Sequence, residues 1–139
     1  MSSLSSLAGR FLLGLYFLLP GIMKFTEADA TLEYMQSHNI YAAEPLMYFA
    51  GVTNILGGLF LIAGRHVKLV AYAFVVYILL VNFMLHDFWT MDAESAPREM
   101  QNFIKNLGIM AGLLVLAGYA PARKLSLKNW WQSDAKINA

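Results

Sequence analysis

The sequence predicts an all-α integral membrane protein: a four-helix bundle, both termini cytoplasmic, with a short outer-surface helix between spans 1 and 2. Three observations carry that expectation. Four stretches, at about 7–25, 45–64, 67–85 and 103–119, approach the ~20 apolar residues that cross a bilayer core. Of the 139 residues, 58% are hydrophobic and 14% charged, with a mean hydropathy of +0.51, whereas a soluble domain carries about a quarter charged residues. Lys and Arg also divide unevenly between the connecting segments, as in proteins that obey the positive-inside rule. The whole chain, 1–139, reads as a single membrane domain with a basic cytoplasmic tail at 120–139.

Backbone polar groups in lipid must be paired within their own segment, so each stretch is a helix and not an open strand. The first carries Arg10 near its start and ends in Pro20, Gly21, Ile22, Met23, Lys24. It lacks a small-x-small cleavage pattern and three spans follow it, so it is expected to remain as an anchor. Between 26 and 44, Thr26 and Asp29 have capping-box spacing, and Ala28, Leu32 and Met35 share a helical face. Asn39 suits a helix stop, which makes this segment the outer-surface helix. Pro45 suits the first turn of the second span. Gly51, Gly57, Gly58 and Gly64 in the second span and Gly108-x-x-x-Gly112 in the fourth are close-packing signals, expected to seat neighbouring spans of the same chain. After Tyr119, Leu125, Leu127, Trp130 and Trp131 lie among Arg123, Lys124 and Lys128 and suit an interfacial anchor. With the N-terminus inside, seven basic residues (Arg10, Arg65, Lys68, Arg123, Lys124, Lys128, Lys136) lie inside and three (Lys24, Arg98, Lys105) outside.

The absence of cysteine excludes disulfides, thiolate metal sites and dithiol relays. No basic run with interleaved aromatics suggests nucleic acid, and no phosphate-loop, zinc-protease, nucleophile-elbow or dinucleotide motif occurs. The chemistry gathers between 82 and 112. Asn102, Lys105 and Asn106 fall on one helical face. Asn82 and His86 lie one turn apart on the preceding span, with Trp89 three residues on. A short loop joins the two spans, so they are expected to be antiparallel neighbours with their polar faces level near the outer surface. Lys24 ends the first span at that level, with Glu27 and Asp87 as candidate counter-ions. Asn54 lies roughly 14 Å into the second span, near the bilayer middle.

One reading is a small polar pocket with His86 as the proton-transfer residue. Lys105, Asn102, Asn106, Asn82, Trp89, Lys24 and Asn54 are then its candidate ligand contacts. A flat head group with carbonyl oxygens fits such a set, and a quinone is the membrane-soluble candidate. The plainer reading gives Lys24 and Lys105 to interfacial snorkelling, Asn54 to an interhelical hydrogen bond, Trp89 to the aromatic belt and His86 to a solvated helix end. His38 and His66 lie elsewhere, so neither a metal site nor a haem pair is expected.

Gly9-Arg10-Phe11-Leu12-Leu13-Gly14, Pro20-Gly21-x-x-Lys24-Phe25, the run from Gly57 to Gly64, His86-x-Phe88-Trp89 and Asn102-Phe103-x-Lys105-Asn106 resemble the DoxX family of small bacterial inner-membrane proteins. The resemblance spans nearly the whole chain. It implies four spans in a bacterial plasma membrane and a link to quinone redox chemistry, since the family is named after a subunit of a quinone-reducing oxidoreductase. The chain departs from the pattern at Asn54, where many members carry Glu, and after Tyr119-Ala120-Pro121-Ala122, where Ser126-Leu127 is followed by Lys128. The leading expectation is a quinone-linked or otherwise redox-associated subunit that works with a redox protein partner and is not a complete enzyme. The alternatives are a non-enzymatic scaffold that recruits other proteins and, behind it, a small-solute transporter, against which no mid-span break or inverted repeat is clear.

Overall fold

The computed structural model describes residues 4–123 and 129–137. Four long helices form its frame: α1 Leu4–Thr26, α3 Ala43–Ala63, α4 Val67–Leu85 and α5 Ala96–Tyr119. A shorter α2, Ala28–Ser37, joins α1 to α3; a single 3-10 turn, Phe88–Thr90, precedes α5; and α6, Asp134–Ile137, lies in the tail. All four long helices have the length and apolarity to cross a membrane, as the sequence predicts. Lys124, Leu125, Ser126, Leu127 and Lys128, part of the expected interfacial tail, lie outside the described residues.

The helix ends explain the turns. Asn39 and Ile40 close α2 as a Schellman motif: Asn39 N–H donates to Gln36 O at 2.9 Å and Ile40 N–H to Met35 O at 3.2 Å. Asn39 takes the left-handed conformation, φ 54°, that this stop requires. Ala28, Leu32 and Met35 do share a face, and that face packs on Ala43, Met47 and Leu85 at the end of the bundle. The capping box does not form. Thr26 is the last residue of α1, Glu27 takes the N-cap position of α2, and no side chain caps it. The α3–α4 turn passes through two left-handed residues, Gly64 (φ 65°) and His66 (φ 48°). His66 supplies no side-chain cap to α4. Asp134 does so from the tail, accepting the His66 and Val67 N–H groups at 3.0 and 2.9 Å. Arg123 pairs with the same carboxylate at 3.3 Å. The start of α1 and this tail therefore share one end of the bundle, while α2 and the 3-10 turn occupy the other.

α5 begins at Ala96, earlier than the expected 103. Asp92 accepts N–H bonds from Glu94 (3.0 Å) and Ser95 (2.8 Å), and Pro97 sits in the first turn. These backbone donors hold the Asp92 carboxyl below its ordinary range. The residues between 96 and 102 are polar, which reads as loop, but they continue the helix and add nearly two turns to it.

α1 packs on α3, α4 on α5, and α3 on α4. Glycines set the first contact: a Cβ on Gly58 would stand 2.7 Å from the Gly14 carbonyl oxygen, and one on Gly14 would stand 2.8 Å from that of Gly58. Phe17 stacks on Phe74 with ring centroids 3.7 Å apart and anchors a core with Leu61, Ile78, Leu113 and Ala117. The Gly108–Gly112 pair corrects the sequence reading. A Cβ on either residue would meet nothing within 4 Å, so this stripe faces away from the other described helices. α5 instead meets α4 through Leu113, Ala117 and the amides described next.

Overpacking the glycine contact gives a test. Gly58→Val should destabilise the bundle by about 1–3 kcal/mol, and Gly108→Val by less than about 0.5 kcal/mol. Unfolding of both variants in mild detergent, followed by circular dichroism, measures the difference. Equal costs would show that α1 and α3 do not approach as described.

Candidate functional site

A cavity of about 260 Å³ lies among the four spans, in the half of the bundle nearer α2. α1 lines it with Tyr16, Phe17, Pro20 and Lys24, a face that repeats about every helical turn. α3 contributes Asn54, α4 contributes Tyr77, Ile78 and Val81, and His86, Lys105 and Asn106 complete the wall. Phe17, Asn54 and Asn106 are buried, while Pro20 and Lys105 are exposed. The cavity thus runs from the gap between α1 and α5 inward to the α3–α4 contact.

Two amides tie its back wall. Asn106 Nδ2 donates to Asn82 Oδ1 at 2.7 Å, fully buried between α5 and α4. Asn82 Nδ2 donates to the Phe103 carbonyl at 3.3 Å. Asn106 Oδ1 accepts the Tyr16 hydroxyl at 3.1 Å, which reaches across from α1. Deeper in, Asn54 Nδ2 donates to Tyr77 Oη at 3.2 Å, and the buried Asn54 Oδ1 has no partner among the described residues.

Glu99 governs the end nearer α2. It is 3% exposed, although it lies in the first turn of α5. A buried carboxylate needs partners, and this one has several. His86 Nδ1 donates to Oε2 at 2.7 Å, Asn102 Nδ2 donates to the same oxygen at 3.0 Å, and Arg98 Nε lies 3.4 Å from Oε1. With the carboxylate accepting, Nδ1 carries the imidazole proton and Nε2 is the nitrogen left for the cavity. Tyr34 of α2 closes the cluster, donating to the Leu85 carbonyl at 3.0 Å. Burial, then the neighbouring Glu99 charge, pushes its phenol above the usual range, so it stays protonated.

The cations are held differently. Lys24 Nζ donates to the Pro20 carbonyl at 3.4 Å and Lys105 Nζ to Asn102 Oδ1 at 3.0 Å. Glu27 and Asp87 pair with neither: Thr90 takes the Asp87 carboxylate, and the ion pairs found at this end among the described residues all use Glu99.

Of the residues read from the sequence, His86, Lys105, Asn106, Lys24 and Asn54 meet at the cavity. Asn82 stands behind the wall and fixes Asn106, and Asn102 holds Lys105 and Glu99 outside it. Trp89 is 54% exposed, packed edge-on to Phe88 and Phe103 at centroid distances of 5.2 and 5.9 Å, away from the cavity. Glu99, Tyr16, Tyr77 and Tyr34 escape the sequence reading. Glu99 had a signal, since it precedes Asn102 by three residues and Asn106 by seven and so shares their face. Among the described residues no group of three His, Cys, Asp or Glu is placed to hold a metal ion.

Comparison with known proteins follows the same lines. The DoxX family model matches residues 5–87. The chain is similar to the inner membrane protein YphA of Escherichia coli (strain K12), with 28% identity over 117 residues, 83% of this chain and 82% of that protein. No solved structure matches it.

The amide wall can be tested by a double-mutant cycle. Asn82→Leu strands the Asn106 amide in the interior and should cost about 1–2 kcal/mol of unfolding free energy. Adding Asn106→Leu should cost less than the sum of the two single changes. Strict additivity in detergent unfolding would mean that the 2.7 Å contact is not made.

Proposed function

The chain belongs to the DoxX family, and from that premise we propose that it is a quinone-linked subunit that receives a ring head group in the cavity among its spans. It is a multi-pass inner-membrane protein, and its bilayer supplies a route for such a ligand. The observation that carries the proposal is the cavity itself, where a histidine backed by a buried carboxylate meets two lysines and a buried amide. Its rim lies between α1 and α5, so a ring can enter from the lipid while its tail stays along the helices.

Each residue then has a task. Lys24 and Lys105 donate to ring oxygens; both are held by neutral acceptors that a carbonyl can replace. His86 presents Nε2 while Glu99 fixes its tautomer, the arrangement that suits proton transfer at a ring oxygen. Converting a quinone to a quinol takes two electrons and two protons. The protons pass through His86. In this reading the electrons come from a separate redox protein, the partner that the sequence leads one to expect. The basic asymmetry of the connections supports an orientation with the α2 end, and with it the cavity, toward the outer leaflet.

Two measurements test this reading. A single cysteine at exposed Glu94 should react with an impermeant maleimide in intact cells; labelling only after lysis would reverse the orientation. Calorimetric titration with a short-tailed quinone, in lipid discs, should give saturable binding that His86→Ala and Lys105→Ala each weaken at least about tenfold, about 1.4 kcal/mol. No binding by folded wild type would remove the quinone reading and leave the scaffold reading in its place.

A further inference from the structure

The inner end of the cavity holds an unmatched group. Asn54 is 2% exposed and lines the cavity, yet its Oδ1 has no partner among the described residues. Buried polar side-chain atoms are nearly always hydrogen-bonded, so an orphan on a residue that lines a cavity points to a ligand. The nearby Lys24 ammonium is turned to the Pro20 carbonyl, 3.4 Å away. Pro20 itself lacks the N–H that would return to the Tyr16 carbonyl one turn back, which adds a backbone acceptor on the α1 side.

Asn54 is also confined. A Cβ on Gly21 would stand 2.9 Å from the Asn54 Cβ, so α1 lies directly against its stem. The freedom left to it is rotation of the terminal amide, and its contact with Tyr77 tolerates that rotation. A phenol both donates and accepts. With Nδ2 donating to Tyr77 Oη, Oδ1 is the end left to take a hydroxyl. With Tyr77 donating to Oδ1, Nδ2 is the end left to serve a carbonyl. Both states are neutral, and each leaves one end of the amide for the ligand.

We infer that Asn54 and Tyr77 form a reversible pair that lets the cavity hold its ring ligand equally well in carbonyl and hydroxyl form. The inference rests on the quinone reading and assigns these two residues as determinants of redox-form specificity. An ionised carboxylate at position 54 would only accept and would favour the hydroxyl form.

The test is titration of a short-tailed quinone, and of its reduced quinol under anaerobic conditions, into the protein in lipid discs. Wild type should bind the two forms within about threefold of each other. Asn54→Leu should weaken both about tenfold. Tyr77→Phe leaves one amide end unpaired in either state, and should weaken both by a smaller, shared factor; it serves also if the first variant does not fold. Loss confined to one form in either variant, or no loss in both, would overturn the reversible pair while leaving the quinone site standing. Failure of folded wild type to bind either form would overturn the quinone reading and this inference with it.

Discussion

The hydrogen bond between Asn106 and Asn82 is the interaction on which the site depends. In a lipid-embedded bundle, apolar contact between helices competes with equally apolar lipid tails, so polar pairs and close packing must hold helices together. This amide pair joins α5 to α4 at 2.7 Å. The remaining oxygen of Asn106 takes the Tyr16 hydroxyl and so ties both to α1. One side chain thereby reaches three spans. Tyr16 makes this link from α1 to α5 and lines the cavity beside it.

The two helix pairs are built by different means, and the difference makes the gap. α1 and α3 meet backbone to backbone through Gly14 and Gly58. α4 and α5 meet through side chains, with Leu113 and Ala117 in the core and the amides toward the end nearer α2. Side chains that stack, such as Phe17 on Phe74, fill the interior on one side of Tyr16. On the other side, Pro20, Lys24, Lys105 and His86 are too polar or too short of partners to fill it.

Much of this was legible in the sequence, because apolar length and the face shared by Asn102, Lys105 and Asn106 follow from helical period alone. The single membrane domain, the outer-facing end and the roles of the site residues are expectations of a different kind, resting on charge asymmetry and on chemistry. What could not be read was burial. Glu99 is a charged residue in a polar stretch; its spacing to Asn102 and Asn106 marks a shared face, but not that His86 and Asn102 enclose it. Tyr16 and Tyr77 pass as apolar filler, since a phenol in a span shows its polarity only when a partner is opposite. The Gly108–Gly112 spacing misled for the converse reason. It marks a helix face fit for close approach, but whether another helix of the chain lies there depends on α4 approaching α5 along a different face.

The lysines bear on the choice between a structural account of the cavity and the proposed ligand-binding one. A lysine that merely snorkels reaches water or head groups, and one placed for stability near a carboxylate pairs with it. Lys24 and Lys105 both line the cavity, and the buried carboxylate at this end is already taken by His86, Asn102 and Arg98. They settle on a backbone carbonyl and a side-chain amide oxygen, neutral acceptors that leave their charge uncompensated. Glu99 could have served either cation, yet it is spent on orienting a histidine. That allocation suits the proposed ring ligand, which brings electron-rich oxygens of its own to the two lysines.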